Sequence, residues 1–477
     1  MASLEIELRT IARLSAPAAL SQLGMTLMAA VDTLLLGHVG SLELAACALG
    51  NTWEWTWLCL GFGLVQGSEP LVSQAHGRDD GPGASLALQR GLVVAALASI
   101  PIMVAMLLTR PGLIALGQDP EVASVAGRYN LYKLPVVPCF LAYAALRQYL
   151  QGRTHMAPAT IVMWIGNGVH LVLATALVFG YRGLPALGID GAAIAESATF
   201  VSLAGGLAIW IRVRRLHAGA WRRWDRESFG GRGLWQLVQL GAPVSLQIGL
   251  EAWAFSIAAL MAGALDRDAV GSHQIGFNLV VLSFMLPLGV SQGAATRVGN
   301  LIGAGDAVGM RLAIRASLWL GAGVMALPAA AFVLFRYGLP SLYTSDASVV
   351  SLAARLLPVA AAFQLFDGTQ VVAGALLRSM GRPNAGALLS LLGYYGLALP
   401  LAHVAGFVWN FGLVGIWAAL ALGVICVAVT LLGLVYFTAR QPITRLQLGI
   451  EQANAEPAGD AAQSPALAGV MPEAVTS

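Results

Sequence analysis

The sequence predicts an all-α polytopic membrane protein with about twelve transmembrane helices. Of its 477 residues, 57% are hydrophobic and only 11% are charged, whereas soluble domains carry about 25% charged residues. Apolar runs long enough to cross a bilayer follow one another along the chain, separated by short loops. The two halves of the sequence also repeat each other. This predicts two six-helix bundles related by a pseudo-two-fold axis along the membrane normal.

Twelve apolar runs are the predicted spans, numbered here in chain order. They cover residues 12–37, 45–72, 86–109, 121–148, 158–180, 188–211, 234–264, 269–295, 309–335, 348–377, 384–408 and 412–438. Several contain proline or glycine, which membrane helices tolerate when neighbouring groups satisfy the freed backbone.

Basic residues predict the orientation of the chain. If the N-terminus is inside, 20 of the 27 basic residues fall in inner segments and 7, including Lys133, in outer segments. Cytoplasmic loops carry the excess of Lys and Arg, so both termini are predicted to be cytoplasmic. We expect a monomer in a bacterial inner (plasma) membrane, with the lipid bilayer as a partner. The net charge of +3 gives no indication of nucleic-acid binding.

Four regions follow from this pattern. Residues 1–211 form the predicted N-terminal six-helix bundle, and residues 234–440 form the C-terminal one. Between them, residues 212–233 are a predicted cytoplasmic linker whose arginines fix topology and touch anionic lipid. Residues 441–477, rich in Ala, Pro and Gly, are predicted to be a disordered cytoplasmic tail.

The internal repeat has an offset of 226 residues. The matched pairs are Pro17 with Pro243, Gly63 with Gly289, Gln66 with Gln292, Gly67 with Gly293, and Gly77 with Gly303. Parallel repeats of this kind place the substrate between the halves, near the middle of the membrane. The G-x-x-x-G pair in the second span of each half predicts close helix packing.

Acidic residues inside the spans are the main functional candidates. The six candidates are Asp32, Glu54, Glu69, Glu196, Glu251 and Asp367. Burial disfavours the charged form of a carboxylate, so such a group can exchange a proton or bind Na⁺ and thereby couple an ion gradient to a conformational change. Glu251 and Asp367 lie in mid-span with no obvious cationic partner nearby in sequence. Together with Asp32, near the outer end of the first span, they are the predicted cation-coupling residues.

Five further residues are candidates for substrate binding or an accessory role: Glu54, Glu69, Asn167, His170 and Gln292. Glu54 lies in the segment WEWTW, which could bind a cationic ligand but is also typical of an interfacial aromatic belt. Glu69, beside Pro70, can equally serve as a hydrogen-bond partner for a loop. Glu196 and the histidines within the spans are expected to satisfy packed polar contacts.

Motifs of soluble enzymes are absent from the sequence. There is no Walker A segment and no His-Glu-x-x-His, and the four cysteines show no metal-binding spacing. A G-x-S-x-G occurs at Gly289–Gly293, but a nucleophile elbow needs a strand-to-helix turn and this segment is in mid-span. The sequence therefore predicts neither an enzyme nor a cofactor.

Six segments together resemble a known family. They are VDTLLLGHVG (31–40), QGSEPLVSQAHGR (66–78), GLPALGIDGAAIA (183–195), GLEAWAF (249–255), LPLGVSQGAATRVGNLIGAGD (286–306) and FDGTQVVAGALLRSMGRPN (366–384). The chain resembles a multidrug and toxic compound extrusion (MATE) transporter of the NorM-like branch over residues 10–440.

The resemblance implies antiport, in which H⁺ or Na⁺ enters as cationic or amphipathic organic compounds leave. It assigns cation coupling to Glu251 and Asp367 in one bundle, where a Na⁺ ion would also bind, and matches Asp32 in the other. Related members complete the Asp32 site with oxygen-bearing residues in the fifth span, where this chain has His170 and Ala174. A carboxylate near an imidazole can carry a proton, so H⁺ is the preferred coupling ion.

Two alternatives remain open. A lipid-linked precursor flippase of the same superfamily would need a cationic cleft for pyrophosphate, whereas the charges within these spans are almost all acidic. Acidic walls favour cationic substrates. An intramembrane enzyme would need paired catalytic residues, and none has the required spacing.

Overall fold

A computed structural model describes residues 3–181 and 185–446, and every regular element in them is a helix. The first half contains α1 (Leu4–Gly37), α2 (Ser41–Gln66), α3 (Ser68–Gly77), α4 (Gly81–Leu107), α5 (Thr109–Ala115), α6 (Pro120–Tyr132), α7 (Val136–Gly152), α8 (Ala157–Phe179) and α9 (Ile189–Val213). The second half contains α10 (Gly231–Gly263), α11 (Arg267–Ala304), α12 (Ala307–Leu334), α13 (Gly338–Ser341), α14 (Ala347–Ser379), α15 (Asn384–Ser390), α16 (Leu399–His403) and α17 (Gly412–Arg440).

Aspartates outside the apolar runs begin many of these helices. Asp80 accepts a hydrogen bond from the backbone of Gly83 at the start of α4, and Asp266 accepts one from Ala269 at the start of α11. Asp119, Asp306 and Asp346 cap α6, α12 and α14 in the same way. A capping side chain satisfies backbone N–H groups that have no partner within the helix. These acids therefore have a local structural role, unlike those within the spans.

Ten described helices are long and apolar enough to cross a membrane. The other two predicted spans, 45–72 and 121–148, are interrupted in the structure. Gly67 separates α2 from α3, and residues 133–135 separate α6 from α7. The second interruption contains Pro135, whose missing N–H and fixed φ disfavour a continuous helix. The eleventh span is a continuous helix, Asn384–Val408, that contains two π-helical stretches, Leu391–Ala398 and Val404–Val408.

Each half has its own apolar core. In the first half, Leu141 and Leu203 are fully buried within one cluster that joins α2, α4, α7, α8 and α9. In the second half, Leu376 and Leu431 centre one cluster, and Trp417 lies in another on the same helices. The clusters also cross between the halves, since Leu240 of α10 belongs to the first-half cluster and Ile11 of α1 to the cluster of Leu376.

The glycines of the repeat lie where the two halves meet. A β-carbon at Gly63 would overlap the backbone of Ser245, and one at Gly289 would overlap Ala19. Gly63 and Gly289 differ by 226 positions, and so do Ser245 and Ala19. The same offset of 226 positions relates the contact of Gly77 with Asn300 to the contact of Gly303 with Gln74. The contacts thus obey a two-fold relation between halves, and the predicted close packing of the G-x-x-x-G segments is confirmed.

The contacts between the halves include an ion pair on the side of the membrane that carries the chain termini. The first part of α1 packs on the last part of α11, where Arg297 donates to Glu7 through Nε (2.8 Å) and Nη2 (2.6 Å). Glu7 is almost fully buried. A paired, bidentate carboxylate of this kind is stable away from water, so this side of the protein is closed.

The segments outside the helices pack more closely than the sequence indicates. Residues 441–446, assigned above to a disordered tail, pack on the helices. Leu446 N donates to Gln74 Oε1 of α3 (2.7 Å), Arg78 Nη1 donates to the carbonyl of Leu446 (3.0 Å), and Ile443 packs against the cluster of Leu376. Because the backbone groups of Leu446 have hydrogen-bond partners, the prediction of disorder is wrong for residues 441–446. Residues 447–477 lie outside the described residues. In the linker, Ser228 donates to Gln89 of α4 (2.7 Å).

Candidate functional site

Glu251, on α10, is the centre of a polar network in the second half. Its Oε1 accepts hydrogen bonds from Gln247 Nε2 (3.1 Å), Gln370 Nε2 (3.0 Å) and Ser390 Oγ (3.0 Å). Gln370 belongs to α14, and Ser390 ends α15 where the π-helical stretch begins. Three helices thus converge on one carboxylate oxygen. Donors from several directions hold the charged form of such a group in place.

Asp367 lies one helical turn before Gln370 on α14 and is buried. Residues three apart share a helix face, so Asp367 is directed to the same region as the Glu251 network. The structure therefore brings together the two residues that the sequence singled out in this half.

Asp32 and His170 form a buried pair in the first half, called here the Asp32 pair. His170 Nε2 lies 3.0 Å from Asp32 Oδ1, and both side chains are almost fully excluded from solvent. The other ring nitrogen faces Thr199 Oγ1 at 3.4 Å, while Thr199 donates its own proton to the carbonyl of Ala195 (2.7 Å). Because a hydroxyl has one proton, Thr199 presents an acceptor to His170. Both ring nitrogens are then placed to donate, which suits a protonated imidazole.

The remaining candidates of the fifth span have simpler surroundings. Asn167 donates to the carbonyl of Met163 within α8 (3.0 Å), so its amide N–H is used in its own helix. Ala174 is fully buried and supplies no polar group. Of the fifth-span residues named from the sequence, only His170 contacts Asp32 through a polar atom among the described hydrogen bonds.

Lys133 organises a second buried cluster in the first half. Its ammonium contacts the carboxylate of Glu54, lies 2.8 Å from Glu196 Oε2 and donates to Asn51 Oδ1 (2.8 Å). It also lies 4.9 Å from the centre of the Tyr129 ring. These five residues are called the Lys133 cluster below. Glu54 thus has a cationic partner, which the spacing of the sequence did not indicate.

Sequence reasoning missed the part played by Lys133, whereas Glu196 makes the packed polar contacts expected of it. Lys133 was counted with the outer basic residues, but its side chain is only 1% exposed. One signal was present, because Lys133 is the only lysine among the 27 basic residues, and an intramembrane charge is by default a functional candidate.

Glu69 and Gln292 lie between the halves, on the closed side. Glu69 Oε2 is 3.9 Å from Arg378 Nη2, and Gln292 Oε1 accepts a hydrogen bond from Gln151 Nε2 (3.1 Å). Both contacts cross from one half to the other, so these residues are placed to hold the halves together. Ser291, in the G-x-S-x-G segment, donates within α11 to the carbonyl of Leu288 (2.8 Å).

Comparison with known proteins agrees with this architecture. The MatE family model matches twice, over residues 17–175 and 243–404, and the two matches start 226 positions apart. The chain is 32% identical over 440 residues to a probable multidrug resistance protein NorM of Mesorhizobium japonicum, covering 89% of this chain and 93% of that protein. It is 33% identical over 430 residues to the multidrug resistance protein NorM of Burkholderia vietnamiensis, covering 88% and 91% of the two chains.

A solved structure shows the same fold. The crystal structure of the eukaryotic MATE transporter AtDTX14 superposes with a TM-score of 0.84 at 23% identity, over 92% of this chain and 98% of that one. The predicted all-helical membrane fold is therefore confirmed. The chain belongs to the MATE family and is an integral membrane transporter, not an enzyme.

Proposed function

We propose that this protein is a secondary active multidrug transporter that exports cationic or amphipathic organic compounds in exchange for protons. Its NorM relatives are named as multidrug resistance proteins, which supports small organic molecules as substrates. The bacterial relatives also support a plasma-membrane location, with both termini cytoplasmic as the basic residues predict.

The preference for cations rests on the charge at the Lys133 cluster, the Asp32 pair and the Glu251 network. The Lys133 cluster and the Asp32 pair together contain three carboxylates, from Asp32, Glu54 and Glu196, against one ammonium and one imidazole. The second half adds Glu251 and Asp367. Fields from unmatched carboxylates in a low-dielectric interior attract cations and repel anions. A flippase for pyrophosphate-linked lipids would need the opposite sign.

The Asp32 pair is the single observation that carries the choice of proton. Sodium is bound by oxygen ligands, whereas Asp32 meets an imidazole nitrogen at 3.0 Å. When the pair takes up a proton its total charge changes from −1 to 0, wherever the proton resides. A cationic substrate in the same field competes for that negative charge, so binding of one ion favours release of the other.

The Glu251 network can respond to protonation in the same way. Gln370 now donates to Glu251, while its own Oε1 is buried with no partner among the described residues. An amide carries donor and acceptor on the same group. Rotation of this amide would present Oε1 to a protonated Glu251, so the network has one arrangement for each protonation state.

Alternating access completes the cycle. The halves are closed on the side of the termini, which is the cytoplasmic side in the predicted orientation. This state would receive protons from outside and release substrate there. Rocking of one bundle against the other would then open the cytoplasmic side.

Dye transport in proteoliposomes tests the proposal. Purified protein is reconstituted into proteoliposomes, which are loaded with a cationic fluorescent dye. Dye movement is then followed under either an imposed pH gradient or an imposed Na⁺ gradient of equal size. We expect dye movement to follow the pH gradient and to stop when a protonophore collapses it. Transport driven only by the Na⁺ gradient would contradict proton coupling, and no dye movement under either gradient would contradict cation export.

Replacing His170 by asparagine should weaken proton coupling. The amide cannot carry a proton at physiological pH, so we expect pH-driven transport to fall by about 10-fold, within the usual range for coupling between two ligands. His273 provides the matched control, because it is also buried but accepts a hydrogen bond from Trp417 Nε1 (3.1 Å), away from both acidic sites. His273→Asn should leave the pH dependence of transport unchanged. Equal losses in both variants would show a structural effect instead.

A further inference from the structure

The ammonium group of Lys133 lies among acceptor groups in the first half that could bind a cation. It lies in the break between α6 and α7, and its three-donor ammonium meets Glu54, Glu196 and Asn51. Tyr129 faces it with its ring. Carboxylates together with an aromatic face are the groups that recognise organic ammonium ions. The Lys133 cluster thus has the composition of a receptor for an organic cation, with a side chain of the protein bound in it.

The choice of lysine is informative. The other 26 basic residues of the chain are arginines, whose planar guanidinium fits bidentate pairing. A lysine ammonium is a compact point charge on a flexible stem. It can therefore withdraw from its partners when another cation approaches.

The Lys133 cluster still has acceptor capacity. Glu54 is 5% exposed, and its Oε1 is buried without a hydrogen-bond partner among the described residues. Asn51 and Glu196 are only partly buried, so the cluster is not sealed on their side. An incoming cation would find an unused carboxylate oxygen next to a partly accessible one.

The Lys133 cluster and the Asp32 pair act as one charged unit. Glu196 and Thr199 are one turn apart on α9, and the first contacts Lys133 while the second faces His170. With the proton on the Asp32 pair, the three carboxylates and two bases leave one negative charge unmatched. When the proton leaves, two are unmatched, and a singly charged substrate restores the former balance. Without Lys133, each count rises by one.

We propose that Lys133 is an internal cation that sets the charge of the binding region in the first half and limits it to organic compounds with a single positive charge. This inference rests on the proposed export of cations. It makes Lys133 a specificity-determining residue, because its ammonium occupies acceptors that a second positive charge on the substrate would need.

Binding of two related dyes to the purified full-length protein in lipid nanodiscs tests the inference. Ethidium carries one positive charge, and propidium carries the same ring system with a second. We expect the wild type to prefer ethidium, and Lys133→Met to shift the ratio of the two affinities toward propidium by about 10-fold or more, as one added unmatched charge requires. Lys133→Arg keeps the charge and should keep the wild-type preference.

A charge-balanced variant covers the case in which Lys133→Met does not fold. Lys133→Met combined with Glu196→Gln removes one charge of each sign. Its ratio of affinities for ethidium and propidium should return to that of the wild type, with Glu196→Gln alone measured as the reference for the second substitution. An unchanged ethidium-to-propidium ratio in Lys133→Met, or a propidium preference in the balanced variant, overturns the assignment. Binding of neither dye by the wild type would overturn the proposed cation export as well.

Discussion

Replacing Glu251 by glutamine is expected to abolish ion-driven export of a cationic dye while leaving the protein folded in the membrane. Glutamine has the same shape, and its Oε1 can still accept hydrogen bonds from Gln247, Gln370 and Ser390, which now reach Glu251. The amide cannot bind or release a proton. Without this change of charge the gradient loses its differential effect on the second half, so we expect pH-driven transport to fall by ~100-fold, in the upper part of the usual range for coupled sites.

Asp367→Asn should have a similar effect, because Asp367 is buried on the face of α14 that meets the Glu251 network. Both variants are measured in proteoliposomes under an imposed pH gradient, and Glu121→Gln is the control. Glu121 is an exposed acid in the first turn of α6, so its loss removes a carboxylate without touching either half's buried network. Wild-type transport by both Glu251→Gln and Asp367→Asn would contradict the assignment of coupling to this half.

Dye binding separates coupling from folding in these variants. The Lys133 cluster and the Asp32 pair lie in the other half, and we expect them to keep their contacts when Glu251 is changed. Glu251→Gln should therefore still bind dye with an affinity close to that of the wild type, although it no longer uses the gradient. Loss of binding and transport together would indicate that the half had misfolded or that substrate contacts Glu251 directly.

Hydropathy and the repeat were enough to predict the helical membrane fold. Long apolar runs have few ways to satisfy their backbone in lipid, and the matched glycines of the two halves require close helix contacts wherever they pair. The same depth argument singled out Glu251, Asp367 and Asp32. Each is an acid in an apolar run with no lysine or arginine near it in the sequence.

The partners of those acids could not be predicted in the same way. Ser390 lies 139 residues from Glu251, and Gln370 lies 119 residues away, so only the packing of three helices brings them together. Lys133 shows a related limit. Hydropathy gives the depth of a residue along a span but not the direction of its side chain, and the break between α6 and α7 turns this lysine inward.

Enlarging the glycines at the closed side is expected to stop the transport cycle. A β-carbon at Gly77 would overlap the carbonyl oxygen of Asn300, and one at Gly303 would overlap that of Gln74. Backbone atoms in helices cannot move aside as a flexible side chain can. Gly77→Val and Gly303→Val should therefore prevent the halves from meeting on the side of the termini. Because alternating access needs both states, we expect transport to fall by at least about 10-fold in each variant.

The distance between the halves provides the direct measurement. Spin labels at positions 9 and 311, both exposed and in different halves, should report a longer distance in Gly77→Val and Gly303→Val than in the parent protein, with the native cysteines replaced in all samples. Gly168→Val and Gly323→Val are the matched controls, because a β-carbon at either position meets no atom within 4 Å. An unchanged distance together with wild-type transport in Gly77→Val and Gly303→Val would show that the cycle does not require this contact. Since the pseudo-two-fold axis relates Gly77 to Gly303, the two variants should fail to the same extent, and a large difference between them would mean that the halves contribute unequally to closure.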